Sequence, residues 1–332
     1  MEKHLFQPVW KSDKGPASIE ACEELLGEHF GHECVVTGSG RSAIDLTMRM
    51  AGLNRYRNQI ALTPMISKCV LEVLVNHGYP VDPAGKNRHE LVLRYHQLGI
   101  PQKIGVFRVP VIEDICHAFF ANSSVCVPRS GNGWAVFSLP KFFPVAGMTG
   151  GIVVRDIDEA RALRELRDRS IPLTDAEQLS QQEDLQHAYT EDPRFAGRLE
   201  MLFLKRRLNS RCHPLDLAGF PSTLKGIEDI RLRRCAIIQR LLGALDPQLF
   251  PTSWHRQLNS WLPFALPVFL NSEERMNAAK KELNSNGISC NVFSIDVARN
   301  QAQPDLQQAL VVPCHQQLSD ITCNMIASAL LR

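Results

Sequence analysis

The chain has 332 residues, 44% of them apolar and 22% charged, enough to bury one large core or two medium ones; this excludes disorder, collagen and low complexity. Thirty-seven Lys and Arg against 35 Asp and Glu leave a formal charge of +2, too even for a protein whose affinity comes from neutralising nucleic-acid phosphates. A small or locally charged ligand is expected instead.

In chain order, Ser18 is placed to cap a helix in which Cys22, Leu25, Leu26 and His29 share a face, with Glu23 and Glu24 solvating the other. Residues 32–37 are short, β-rich and followed by glycines. A second helix is expected from near Ser42, carrying Ile44, Leu46, Met48 and Leu53 inward. Residues 59–63 read as a buried strand, and 68–77 as a helix closed by Gly78, a C-cap signal. Four more strands are expected at 90–95, 108–112, 134–138 and 151–154. The mixed charges of 156–169 fit a solvated helix face. A long helix from about Glu228 leads to a strand at 264–270, a helix from Ser272 to Gly287, a strand at 289–293 and a terminal helix at 320–331.

Alternating helix and strand patterns in the first half favour parallel strands joined by crossovers. The expected architecture is therefore an α/β large domain with a mostly parallel sheet over 1–228, and a smaller C-terminal α+β domain over 229–332. The first residues are placed to pack on the smaller domain, and no internal repeat is found.

The longest uncharged apolar stretch, 261–270, falls far short of the roughly 20 residues that span a bilayer, and Pro263 and Pro267 interrupt it. The opening residues Met1, Glu2, Lys3 and His4 lack a secretory pattern, so a cytoplasmic protein is expected, without membrane or nucleic-acid partners. Ten cysteines are scattered from Cys22 to Cys323 and never form Cys-x-x-Cys, which reads as buried free thiols. Cys116-His117, Cys212-His213 and Cys314-His315 suggest zinc, but adjacent residues point apart, and no metal site is expected.

Three constellations carry chemistry. Thr37-Gly38-Ser39-Gly40-Arg41-Ser42-Ala43 lies between a strand and a helix, where glycines let backbone amides approach an anion and the helix start favours negative charge. A phosphate fits there, as does a ligand-free turn with Ser42 as N-cap and Asp45 completing a capping box. The apolar strand Val109-Pro110-Val111-Ile112 ends in Glu113-Asp114, where α/β sheets bind ligands. Finally, Ser138-Leu139-Pro140-Lys141-Phe142-Phe143 places a Lys among phenylalanines ahead of Gly147-Met148-Thr149-Gly150-Gly151. A desolvated ammonium tends to shed its proton and become a nucleophile, whereas a snorkelling Lys would keep its head in water. Ser138 and Lys141 also spell Ser-x-x-Lys, but that acyl-transfer motif needs a helix start and a Lys-Thr-Gly strand, and neither appears.

A phosphate cradle, a strand-end acid and a strand-end Lys, in this order, are the parts that hold pyridoxal 5'-phosphate (PLP). Ser39-Gly40-Arg41-Ser42-Ala43-Ile44 is similar to the Ser-Gly-Thr-x-Ala-Leu turn of the DegT/StrS family of fold-type I PLP-dependent aminotransferases. Ile112-Glu113-Asp114 with His117 resembles that family's Glu-Asp-x-x-Gln/His, and Lys141 ahead of Gly150-Gly151 resembles its Schiff-base Lys. Tyr95-His96-Gln97-Leu98-Gly99 looks like its His-x-x-Gly segment, and Val312-Pro313-Cys314-His315 like its Leu-Pro-x-His stretch; Arg233-Arg234 matches in a linking helix. Arg41 stands where Thr is usual, and Ser138 lies closer to the Lys than in most members.

The resemblance implies a fold-type I large domain binding PLP, with Lys141, Asp114 and His117 catalytic. Gly40, Arg41, Ser42, Asp114, His117, Ser138 and Lys141 would hold the cofactor. Either the Arg41 guanidinium binds the phosphate, or Ser42 and backbone amides do so alone. It further implies an amino-acid donor, glutamate or glutamine, a keto-sugar acceptor linked to a nucleotide, and a homodimer. Asn209 is the candidate for a residue lent across the dimer, and Lys205-Arg206-Arg207 with Arg211 for a diphosphate or subunit contact. The competing reading is a PLP-scaffold binding or regulatory protein without turnover.

Overall fold

The computed structural model describes residues 7–8, 17–63, 65–85, 88–103, 107–121, 133–191, 211–255 and 257–331. Lys205, Arg206, Arg207 and Asn209 lie outside them. Seven strands form the main sheet: β1 (Glu33–Thr37), β2 (Gln59–Leu62), β3 (Tyr79–Val81), β4 (Leu91–Tyr95), β5 (Val111–Asp114), β6 (Gly133–Ser138) and β7 (Gly150–Val154). Their order is β1-β7-β6-β5-β4-β2-β3. Strands β2 to β6 pair in parallel, and β7 runs antiparallel to both β6 and β1.

The central strands read as unbroken apolar runs because both faces of the sheet are covered. Val35, Trp134, Val136, Ile152 and Val154 join one core, with α2 (Gly40–Met50), α3 (Lys68–Leu74) and α4 (Ile157–Asp168). Their neighbours Cys34, Val36, Ala135, Phe137 and Val153 face the other way, into a core shared with α1 (Ile19–Phe30) and the C-terminal part. This period of two is what a pleated strand imposes.

Helix α5 (Asp175–Glu191) follows, and α6 (Leu224–Ala244) runs towards the second sheet, so the 228/229 division falls inside a helix. That sheet is antiparallel, in the order β8-β10-β9, from β8 (Ala265–Val268), β9 (Asn291–Asp296) and β10 (Leu306–Pro313). Helices α7 (Leu258–Trp261), α8 (Glu273–Ser285) and α9 (Asp320–Leu331) complete it. The α/β class and the mostly parallel main sheet are as expected. No helix among the described residues is long and apolar enough to cross a membrane.

Several local expectations change. The second helix starts at Gly40 with Ser39, not Ser42, as N-cap, and Asp45 accepts no capping bond but pairs with His77 at 2.7 Å. The third helix ends at Leu74, and Gly78 serves close approach: a Cβ there would lie 2.8 Å from Asn58 O. Strands β3 and β10 and helix α5 were not anticipated. Strand β10 opens on exposed Leu306, Gln307 and Gln308, which mute its alternation.

Glu23 is buried rather than solvated. It forms ion pairs with Arg164 at 2.8 Å and Arg167 at 2.6 Å, so the mixed charges of α4 are partly internal. The three side chains satisfy the open edge of β1. Val36 N donates to Glu23 Oε1 (2.9 Å), Arg164 Nη2 to Cys34 O (2.9 Å), and Arg167 Nη1 to Val36 O (3.0 Å). Removing one member of a buried pair strands the other charge. Glu23→Ala is expected to cost about 3–5 kcal/mol in urea unfolding, and Arg161→Ala, whose partner Asp158 is exposed, less than about 1 kcal/mol.

Candidate active site

Three connections converge at one end of the main sheet. The turn from β1 to α2 supplies Ser39, Gly40 and Arg41; the end of β5 supplies Asp114, with Cys116 and His117 just beyond; and the turn after β6 supplies Ser138, Pro140 and Lys141. All of these line one cavity of about 250 Å³, with Tyr95, Met148 and Thr149. Of the predicted residues, Gly40, Arg41, Asp114, His117, Ser138 and Lys141 are thus brought together. Ser42 does not line the cavity; its amide donates to the Ser39 hydroxyl at 3.0 Å and its hydroxyl lies 2.9 Å from the same oxygen.

Glycine makes this convergence possible. Gly150 pairs with Thr37 of β1 and with Ser138 of β6, and a Cβ on it would fall 2.3 Å from Gly40 N. A Cβ on Gly151 would fall 2.3 Å from the Phe137 ring.

The two acids ending β5 face opposite ways, as successive strand residues must. Glu113 turns from the cavity to Arg94 (3.2 Å) and His96 (3.1 Å), in a buried cluster. His96 Nδ1 also accepts from the Gln102 amide at 3.1 Å, which makes it a structural residue. Asp114 is almost wholly buried on the cavity side and accepts from the Cys116 amide at 3.0 Å. Burial raises its carboxyl above the ordinary value; the hydrogen bonds from Cys116 and the charges at His96 and Lys141 oppose the rise.

Lys141 is half-buried, but the adjacent phenylalanines do not surround its amine. Phe142 and Phe143 are fully buried and pack with Phe119 and Phe120. The ring near the amine is Phe264, its centroid 5.0 Å from Nζ, contributed from just before β8. Phe264 also stacks on His117, with centroids 4.5 Å apart. Burial lowers the His117 imidazole well below its usual range, helped by Lys141 and Arg234, so the ring is neutral near pH 7. Arg234 of α6, itself fully buried, donates to Pro263 O and Phe264 O and so fixes this segment.

Sequence reasoning had not assigned Phe264, Tyr95, Cys116 or Thr149 to the site. For Thr149 and Cys116 a signal existed, their places directly before Gly150-Gly151 and between Asp114 and His117; Tyr95 and Phe264 are brought in by tertiary contacts. A larger groove of about 1060 Å³ lies between α1 and α4. It is open, is lined by Glu23, Arg164 and Arg167, and holds none of the predicted residues.

The residues fit PLP. The start of α2 with Arg41 and Lys141 offers positive potential for a phosphate, and buried Asp114 offers a partner for a protonated ring nitrogen. Thr149 Oγ1 lines the cavity, is buried and has no hydrogen-bond partner among the described residues, as an unfilled ligand contact would be.

The family described as "Putative PLP-dependent aminotransferase" matches residues 26–186. No curated protein matches the chain. Among solved structures, a DegT DnrJ EryC1 StrS aminotransferase from Brucella abortus superposes with a TM-score of 0.62 at 16% identity, covering 96% of this chain and 90% of that one. PseC of Helicobacter pylori, an aminotransferase of pseudoaminic acid biosynthesis, gives 0.62 at 15%, covering 99% and 98%. DesV of S. venezuelae, solved with a ketimine intermediate, gives 0.60 at 16%, covering 96% and 89%. The chain thus has the fold-type I fold of the DegT/StrS-type aminotransferases and, through residues 26–186, matches a PLP-dependent aminotransferase family, a family of transferases.

Proposed function

We propose that the protein moves an amino group from an amino acid, glutamate or glutamine, to a nucleotide-linked keto sugar, with Lys141 as covalent anchor for PLP. The observation that carries this reading is the meeting of Lys141, Asp114 and the start of α2 around one cavity. The same reading makes the chain a cytoplasmic homodimer, divided into a cofactor-binding part (1–228) and a smaller part (229–332).

Bound PLP supplies an aldehyde that takes up the amino group and a ring that accepts the electron pair of the broken Cα–H bond. Gly40 and Arg41 would hold the phosphate through backbone amides and guanidinium, with Ser42 supporting them through the Ser39 cap and Ser138 and Thr149 lining the same cavity. Asp114 keeps the ring nitrogen protonated. With the cofactor bound, Lys141 Nζ would carry the proton from the donor's α-carbon to the former aldehyde carbon. His117, held against Phe264, lines the cavity and would touch the bound ring.

Borohydride treatment of PLP-loaded protein should add the reduced cofactor's mass to the peptide containing Lys141, and Lys141→Ala should lose both this adduct and turnover. Glutamate added to the yellow holoenzyme should remove the visible band and release one 2-oxoglutarate per site. A band untouched by any amino donor would favour the non-catalytic reading.

Asp114→Asn should retain PLP but lower turnover by about 10²-fold or more. In the cofactor-free protein the same change should stabilise. A buried carboxyl with a raised pKa weighs against folding once ionised, so wild-type stability declines as pH rises through the raised value. Asp114→Asn is therefore expected to gain about 0.5–2 kcal/mol at pH 7. Thermal melts at descending pH should show the gain vanish toward the ordinary carboxyl value of 3.8.

A further inference from the structure

A chain of contacts joins Tyr95, His117, Phe264 and Leu98 beside the cavity. Tyr95, the last residue of β4, is buried, and its phenol oxygen lies 2.9 Å from His117 Nδ1. His117 stacks on Phe264 at an interplanar angle of 10°. Phe264 N donates to Leu98 O at 2.8 Å, which ties this segment to the turn after β4. Leu98 reaches this position at φ 54°, in the left-handed region, and Gly99 follows at φ 87°. A Cβ on Gly99 would fall 2.1 Å from His117 O, so the His-Gln-Leu-Gly turn is shaped to lie against His117.

The direction of the Tyr95 to His117 bond follows from donor supply. A neutral imidazole has one donor and one acceptor nitrogen. Burial lifts the Tyr95 phenol well above its ordinary value and lowers the His117 ring well below its own, so one keeps its proton and the other stays uncharged. The buried Tyr95 hydroxyl has no other acceptor among the described residues, so its hydrogen is directed to His117 Nδ1. Nε2 then carries the ring hydrogen, and among the described residues nothing accepts it.

We propose that Tyr95 is a positioning residue that fixes His117 as the Nε2–H tautomer and thereby presents a neutral, oriented donor to an oxygen acceptor bound in the cavity. The acceptor, a ring oxygen of the cofactor or a carboxylate of the substrate, rests on the function proposed above. The tautomer does not, because it belongs to the protein alone.

Long-range proton–nitrogen NMR on full-length, cofactor-free protein carrying 15N-histidine tests it, with the His117 signals assigned by their loss in His117→Asn. The expected result is a pyridine-like Nδ1 and a pyrrole-like Nε2 in the wild type, and a mixture of tautomers in Tyr95→Phe. An Nδ1–H ring in the wild type, or ring signals unchanged in Tyr95→Phe, overturns the assignment, since a merely packed Tyr would not set the tautomer.

PLP and then glutamate are added next. An Nε2 signal that moves with PLP places the acceptor on the cofactor, and Tyr95→Phe should then weaken PLP about 2- to 10-fold. One that moves only with glutamate places it on the substrate, and one that moves with neither overturns the donor role. Failure to bind PLP with the expected tautomer intact would defeat the cofactor reading while leaving Tyr95 as the group that orients His117.

Discussion

One residue without a side chain holds the site together. Gly150 pairs with the last residues of both β1 and β6, the strands that lead into the phosphate turn and into Lys141. The two backbones meet there more closely than any Cβ would permit. The antiparallel course of β7 is what brings its first residue to this end of the sheet, and it leaves Thr149 in the cavity wall. Without that approach, the start of α2 and the amine of Lys141 could not share one small ligand.

The parts of this arrangement that depend on neighbours in sequence were legible before any coordinates. A glycine turn between strand and helix, an acid at a strand end and a Lys before Gly-Gly are local patterns, and Gly40, Arg41, Asp114, Ser138 and Lys141 are found around one cavity. The parts that depend on distant residues were not. Glu23 looks like a solvated helix residue because its partners lie more than a hundred positions away on α4. Phe264 reads as an ordinary strand aromatic until folding brings it against His117 and Lys141. The true cap of α2 was displaced by three residues for a similar reason: Ser39 and Ser42 are both competent, and only the backbone angles at Ser39 decide between them.

Buried charge is spent in two distinct ways here. In the Glu23 cluster and at Arg234, each charge finds several partners, and the result is a fixed framework: Arg234 grips the Pro263 and Phe264 carbonyls while its guanidinium covers Phe142, the residue after Lys141. Asp114 is different. Its carboxylate accepts from the Cys116 amide and forms no ion pair among the described residues, which leaves it raised in pKa and short of compensation. Such a group opposes folding unless a positively charged ligand atom completes it. Framework and site are thus distinguishable by how many hydrogen bonds their charged groups make.

The two rims of the main sheet carry a consequence for life at high concentration. An open strand edge is a template on which another chain can add by main-chain pairing. At β1, the Glu23, Arg164 and Arg167 side chains already occupy the groups that an incoming strand would seek. At β3, the strand is three residues long and its middle residue, Pro80, has no hydrogen to offer. Edge-to-edge pairing of one main sheet with the next is therefore obstructed at both ends.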